Sequence, residues 1–179
     1  PDRREVGYDS YMDLSTESEH RRLALPAEYD LQKTLWLAGM WRGDPTLRSS
    51  NRDVALALQT PEGGVTVQAI HSQAIPSPSQ LDLSFLGPGS SWCAARAHAM
   101  FGLADQPEQF QPDGPLGDLV RSMPGVHLPK LPTIFHLLVR IVLQQLVSGA
   151  DAVHGWRQIV LRFGSAAPCG ELRLPPTAK

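Results

Sequence analysis

The chain has two cysteines in 179 residues, Cys93 and Cys169. Two are too few for a disulfide framework, and neither stands in a spacing that ligates a metal. The histidines show no metal spacing either. A reduced, cytoplasmic setting is therefore expected, with no metal and no cofactor. No apolar run approaches the ~18 residues that a membrane span needs, and no secretory leader is visible. No membrane partner is expected. The net charge is −2, so the chain as a whole does not carry the basic signature of a nucleic-acid partner. No internal repeat is present.

What is present is an ordinary soluble composition, 42% hydrophobic and 19% charged, with an uneven charge distribution. Residues 119–179 hold seven Lys/Arg and two acids, net +5, against −7 for the preceding residues. A basic end on an acidic body fits a C-terminal part that meets phosphate, and a solvated helix face would give the same count. The chain begins at Pro1 and ends at Lys179 in a Pro-rich stretch, as a fragment of a longer protein would.

Taken in order, residues 1–20 are polar and acidic without apolar period and read as a disordered leader. Arg21–Leu25 is a first strand, closed by Pro26. Leu31, Leu35 and Ala38 share a helical face, with Asp30 as N-cap. Trp41–Pro45 is a turn. Val54–Gln59 alternates Val/Leu with Ala, a strand buried on both faces. Val65–Ile70 returns after the turn at Thr60–Gly64, and the two form the clearest hairpin in the chain. Leu81–Phe85 alternates strictly, a strand with one wet face. Ser90 or Ser91 caps a helix with Trp92, Ala95, Ala99 and Met100 on one side. The Pro/Gly-rich stretch Gln106–Gly114 marks a domain boundary. Leu116–Ser122 is a short helix, Pro124–Pro132 an ordered turn, and Ala166–Lys179 irregular and exposed. Strands with helices followed by helices alone predict an α+β architecture. Its parts are a leader at 1–20, an antiparallel α+β domain at 21–110 and a helical unit at 111–179.

The organising stretch is 134–164. In Ile134–Leu143 apolar residues surround the axis, and His136, Arg140 and Gln144 fall at i, i+4, i+8 on one face. So little polar surface predicts a core helix. Ser148 and Asp151 have capping-box spacing and begin a second helix. Its buried stripe is Ala152, Trp156, Ile159, Val160 and Phe163. Gly164 is placed for a left-handed C-cap.

Pro124-Gly125-Val126-His127-Leu128-Pro129, Phe135, Val139-Arg140 and Gln145-Leu146-Val147-Ser148 together resemble the DNA-3-methyladenine glycosylases. These are alkylation-repair enzymes of the helix-hairpin-helix superfamily. The likeness runs from Pro124 to Gly164. The YDL segment at Tyr29 and the Gly43-Asp44-Pro45-Thr46 turn add a weaker likeness upstream. The resemblance implies an antiparallel-sheet domain resembling half of the TATA-binding protein, followed by an all-α glycosylase domain that is incomplete here. It implies hydrolysis of the N-glycosidic bond of alkylated purines in double-stranded DNA by an activated water, in a monomer without cofactors.

Such enzymes extract the damaged base from the stack. The family's intercalating residue falls on Leu146, an intermediate apolar side chain at a corner. Gln145 beside it can bond base edges. The helix after Ser148 directs free N–H groups outward, as phosphate binding requires. Trp36 is the candidate lining of the base pocket, from the family's placement of pocket residues after its YD pair. His136 reads as a structural histidine, and His127 has no nucleophile to serve. The family's glycine-rich hairpin and catalytic aspartate are expected beyond Gly164, where Glu171 is the sole acid. This chain alone is expected to be inactive. Two other readings are a non-catalytic DNA-binding or protein-interaction module and an unrelated small α+β enzyme.

Overall fold

The computed structural model describes residues 17–36, 43–72, 79–145 and 147–177. Its centre is a five-stranded antiparallel sheet in the order β1-β5-β4-β3-β2. The strands are β1 (Ser18–Ala24), β2 (Leu47–Ser49), β3 (Asp53–Thr60), β4 (Gly63–Ser72) and β5 (Gln80–Leu86). The expected hairpin is the β3–β4 pair, closed at Thr60↔Gly63. β1 begins at Ser18 and pairs Ser18–His20 with Leu86–Ser84. The last residues of the expected leader are therefore held in a ladder, and residues 1–16 lie outside those described. So do 37–42, which include Ala38 and Trp41, and 73–78.

One face of the sheet carries Val54, Leu56, Leu58, Val65, Val67, Leu81, Leu83 and Phe85, all buried. It is covered by α1 (Leu31–Trp36), α2 (Ser90–Ala94) and α3 (Ala97–Met100). Asp30 caps α1, its carboxylate accepting from the Lys33 N–H at 2.9 Å. The expected single helix from Ser90 to Phe101 is broken at Ala95–Arg96. Its buried residues are Cys93, Ala94, Ala97, Met100 and Phe101 rather than the Trp92/Ala95/Ala99 face. Neither serine caps it. Ser90 is itself in the first turn, and its hydroxyl donates back to the Gly87 carbonyl at 2.5 Å.

The other face explains the alanines of β3. Ala55 and Ala57 are buried beneath Ala167, Leu172 and Leu174. The C-terminal stretch forms a small hairpin of β6 (Ser165–Ala166) and β7 (Arg173–Leu174). The expectation of an exposed irregular tail is corrected. Small side chains on β3 leave room for a second layer, and the tail fills it.

Four more elements complete the described chain. They are a single 3₁₀ turn at Pro107–Gln109, α4 (Gly114–Ser122), α5 (Ile134–Leu143) and α6 (Gly149–Phe163). The Pro124–Pro132 segment is ordered as expected and docks α1 against α3. The Asp30 N–H donates to the Gly125 carbonyl at 2.8 Å, and the Lys130 N–H to the Ala99 carbonyl at 2.9 Å. Gly125 has φ +74, and a side chain there would press on the Tyr29 and Asp30 backbone at 3.0 Å. Among the described residues no helix is long and apolar enough to cross a membrane.

Candidate nucleic-acid interface

The corner between α5 and α6 is built from local chemistry. α5 closes through i→i+3 and i→i+4 bonds, the Gln144 N–H reaching both the Arg140 and Ile141 carbonyls at 3.1 Å. α6 opens at Ser148, which has extended dihedrals and whose hydroxyl oxygen accepts from the Asp151 N–H at 3.2 Å. That hydroxyl also donates to the Asp151 carboxylate at 2.6 Å. The S-x-x-D spacing thus starts a helix, as the sequence implies. Residues 144–150, apart from 146, are exposed.

The sequence-derived site residues are distributed as follows. Gln145 is exposed, and its side-chain amide donates to the Ile141 carbonyl at 3.2 Å. Ser148 is the N-cap. Leu146 lies outside the described residues. Trp36 ends α1 and is 65% exposed. Val147 is 50% exposed.

α5 is oriented opposite to the expectation of a core helix. Its polar stripe faces inward at His136, which is buried, and at Arg140, which is nearly so, while Gln144 is exposed. Ile134, Phe135, Leu138, Ile141 and Val142 are exposed. The stripe of α6 is buried at Ala152, Trp156 and Val160, whereas Phe163 is exposed. The reason is Asp44, in the turn before β2. Its Oδ1 accepts from the Thr46 N–H (2.9 Å), the Thr46 hydroxyl (2.7 Å) and the indole N–H of Trp156 (3.0 Å). Its Oδ2 lies 3.1 Å from Arg140 Nη2. A buried carboxylate needs a charge and donors around it. Turning α5 polar side inward supplies the charge, and Trp156 supplies the third donor.

Electrostatics follow from the burial. Loss of hydration, reinforced by Arg140 and opposed by Asp44, pushes the His136 imidazole down to about 4, so it is neutral at ordinary pH. Burial likewise lowers Arg140, while Asp44 opposes the shift. The Tyr29 phenol is driven far up by burial and donates to the Phe101 carbonyl at 2.7 Å. His127 is buried beside the Tyr29 ring, 5.4 Å between centroids. Among the described residues no serine, threonine or cysteine side chain is hydrogen-bonded to either imidazole. Glu171 is exposed and paired with Arg48 at 2.6 Å.

The Asp44–Arg140–Trp156 cluster was not anticipated from sequence, which assigned Asp44 to a turn and Trp156 to a core stripe. Two signals pointed to it. A polar pair at i, i+4 in an otherwise apolar helix needs an inward partner, and a buried indole N–H needs an acceptor. Gly164 is also corrected. Its φ is −81 and ψ 169, so it is not a left-handed cap. A side chain there would overlap the carbonyl oxygens of Val160 and Leu174, and glycine serves close approach of β7.

The sequence matches no family model and no curated protein. Among solved structures, the chain is similar to the 3-methyladenine DNA glycosylase from Archaeoglobus fulgidus, with a TM-score of 0.67 and 18% sequence identity. The match covers 88% of this chain and 56% of that enzyme, so the chain spans little more than half its neighbour's length. At that identity the likeness is one of fold, and the chain has a distant glycosylase-like α+β fold with a five-stranded antiparallel sheet.

Proposed function

We propose that this chain is the DNA-engaging part of an alkylation-repair glycosylase, acting on double-stranded DNA that carries an alkylated base. The observation that carries this reading is the fold likeness to a 3-methyladenine DNA glycosylase, joined to an exposed, serine-capped corner between α5 and α6. In this reading Leu146 fills the gap left by a flipped base, because an apolar wedge offsets lost stacking. Gln145 contacts the bases beside the gap. Ser148 begins a helix whose N-terminus faces phosphate. Trp36 is the weaker assignment, an exposed ring for an electron-poor base. The sheet corresponds to the half of the TATA-binding protein that the resemblance implies. Residues 21–110 and 111–179 are its two units, the second incomplete. The protein works as a monomer without cofactors.

Hydrolysis is not assigned to these 179 residues. After Gly164 the sole acid is Glu171, which is paired with Arg48 of β2, and the carboxylate at the corner, Asp151, is engaged by the Ser148 hydroxyl as part of the helix cap. The apolar surface of α5, Ile134 with Leu138, Ile141 and Val142, is the face on which further helices of such a domain would pack. The same face favours the second reading, a protein-interaction module without catalytic activity.

The test is duplex binding measured by anisotropy, with an abasic-site duplex against an intact one. The chain is expected to prefer the abasic duplex, and Leu146→Ala to remove that preference while leaving the melting temperature nearly unchanged. Equal affinity for both duplexes, or a large drop in melting temperature with binding unchanged, would overturn the wedge. Methylated DNA should release no purine above background.

A further inference from the structure

We propose that Asp44 is a positioning residue, whose single carboxylate fixes the α5–α6 corner relative to the sheet. The proposal rests on the reading above only in its consequence for DNA. Its structural part stands on the geometry of the cluster.

The path is continuous. The Ala57 N–H, midway along β3, donates to the Thr46 carbonyl at 2.8 Å, which fastens the turn to the sheet. Thr46 in turn gives two hydrogen bonds to Asp44, by its N–H and its hydroxyl. Asp44 then holds Arg140 on one flank of the corner and Trp156 on the other, at 3.1 and 3.0 Å. Arg140 precedes Gln144 by one helical turn, and Trp156 follows Ser148 by two. Both helices leading to the corner are therefore gripped close to it by the same group. Two weaker ties run in parallel. Arg157 of α6 donates to the Gly43 carbonyl at 3.5 Å, and the Arg173 N–H of β7 to the Pro45 carbonyl at 2.9 Å.

A general hydrophobic contact would hold α5 against the sheet without fixing its rotation, because apolar burial is non-directional. Ile134, Leu138 and Ile141 could serve such a contact as well as the inward face does. A buried carboxylate needs its counter-charge beside it. The Asp44–Arg140 ion pair therefore selects the rotation of α5 that turns Arg140 inward, and with it the direction in which the corner points. A cavity of about 30 Å³ lies beside the cluster, lined by Asp44, Thr133, His136, Arg140 and Trp156 among others.

Three forms of the 179-residue chain test this: the parent, Asp44→Asn, and Asp44→Asn combined with Arg140→Gln. The double form leaves no unpaired buried charge, so it carries the test if the single form does not fold. Amide hydrogen exchange is followed in the 141–149 segment and in β3–β5, alongside anisotropy on the abasic duplex. Positioning predicts exchange at the corner about tenfold faster in both variants with sheet amides nearly unchanged, since local opening is then separated from global opening. Abasic-duplex affinity should fall about tenfold in both. Equal acceleration in sheet and corner would reduce Asp44 to a stabilising residue and overturn the proposal, as would an unchanged corner. A loosened corner with unchanged affinity would overturn its consequence for DNA. If the parent chain does not bind the duplex, the functional reading fails, and the exchange pattern still decides the positioning.

Discussion

Asp44 and Arg140 form an ion pair 3.1 Å long whose side chains are 1% and 12% exposed. They are 96 residues apart in sequence, and they join the turn before β2 to the inner face of α5. Removing one member leaves the other's charge buried. Arg140→Ala should destabilise the chain by about 3–5 kcal/mol in urea denaturation. Asp44→Ala should cost at least as much, because it also strands the indole N–H of Trp156. A loss under about 1 kcal/mol, the range of a surface pair, would show that water reaches the cluster.

His136 gives stability a pH dependence of defined sign. Its folded-state value is about 4, below the ordinary 6.5. Between these values the unfolded chain binds a proton that the folded chain does not, so stability falls as pH drops from 6.5 towards 4. Above 6.5 both states are neutral and the effect vanishes. The full span amounts to about 3 kcal/mol. Urea midpoints at pH 7 and 4.5 should differ less for His136→Gln than for the parent chain. An identical difference in the two proteins would place the titration elsewhere.

Two glycines at the ends of α6, Gly149 in its first turn and Gly164 just past its last, should respond oppositely to alanine. At Gly164 an added Cβ meets two backbone carbonyl oxygens, which cannot swing aside as a side chain can. Gly164→Ala should cost about 1–3 kcal/mol and loosen the β6–β7 hairpin. At Gly149, in the first turn of α6, nothing lies within 4 Å of that position. Gly149→Ala should be neutral or stabilising by up to about 1 kcal/mol. Thermal melts of the two variants give the comparison, and the same sign at both positions would contradict it.

Ser148 supplies a smaller, local effect. Its hydroxyl oxygen accepts from the Asp151 N–H, so Ser148→Ala should cost about 1 kcal/mol while Ser148→Asp retains most of the stability. Equal loss in both would mean that the cap contributes through packing rather than through its oxygen.

The elements themselves were largely legible in the sequence. Strict alternation located β5, and Val/Leu against Ala in β3 announced a strand with no wet face. The Ser148–Asp151 spacing placed the start of α6 correctly. These are local signals, carried by side chains within a few residues of one another, and the backbone answers to them directly. Of the candidate site, the capping role of Ser148 followed in the same way.

What the sequence by itself determined is therefore the type and sequence position of most elements, together with the corner at Gln145–Ser148. The tertiary structure alone decided which way those elements face. Periodicity identifies the stripes of α5 but is silent on which stripe finds a partner, and the partner here is a carboxylate from a distant turn. The tail looked exposed until Leu172 and Leu174 met the alanines of β3, and Gly164 looked like a cap until β7 crossed it. Each reversal arises from a contact between residues remote in sequence. Buried charge and close backbone approach are satisfied by whatever the topology brings near, and local pattern carries no record of that.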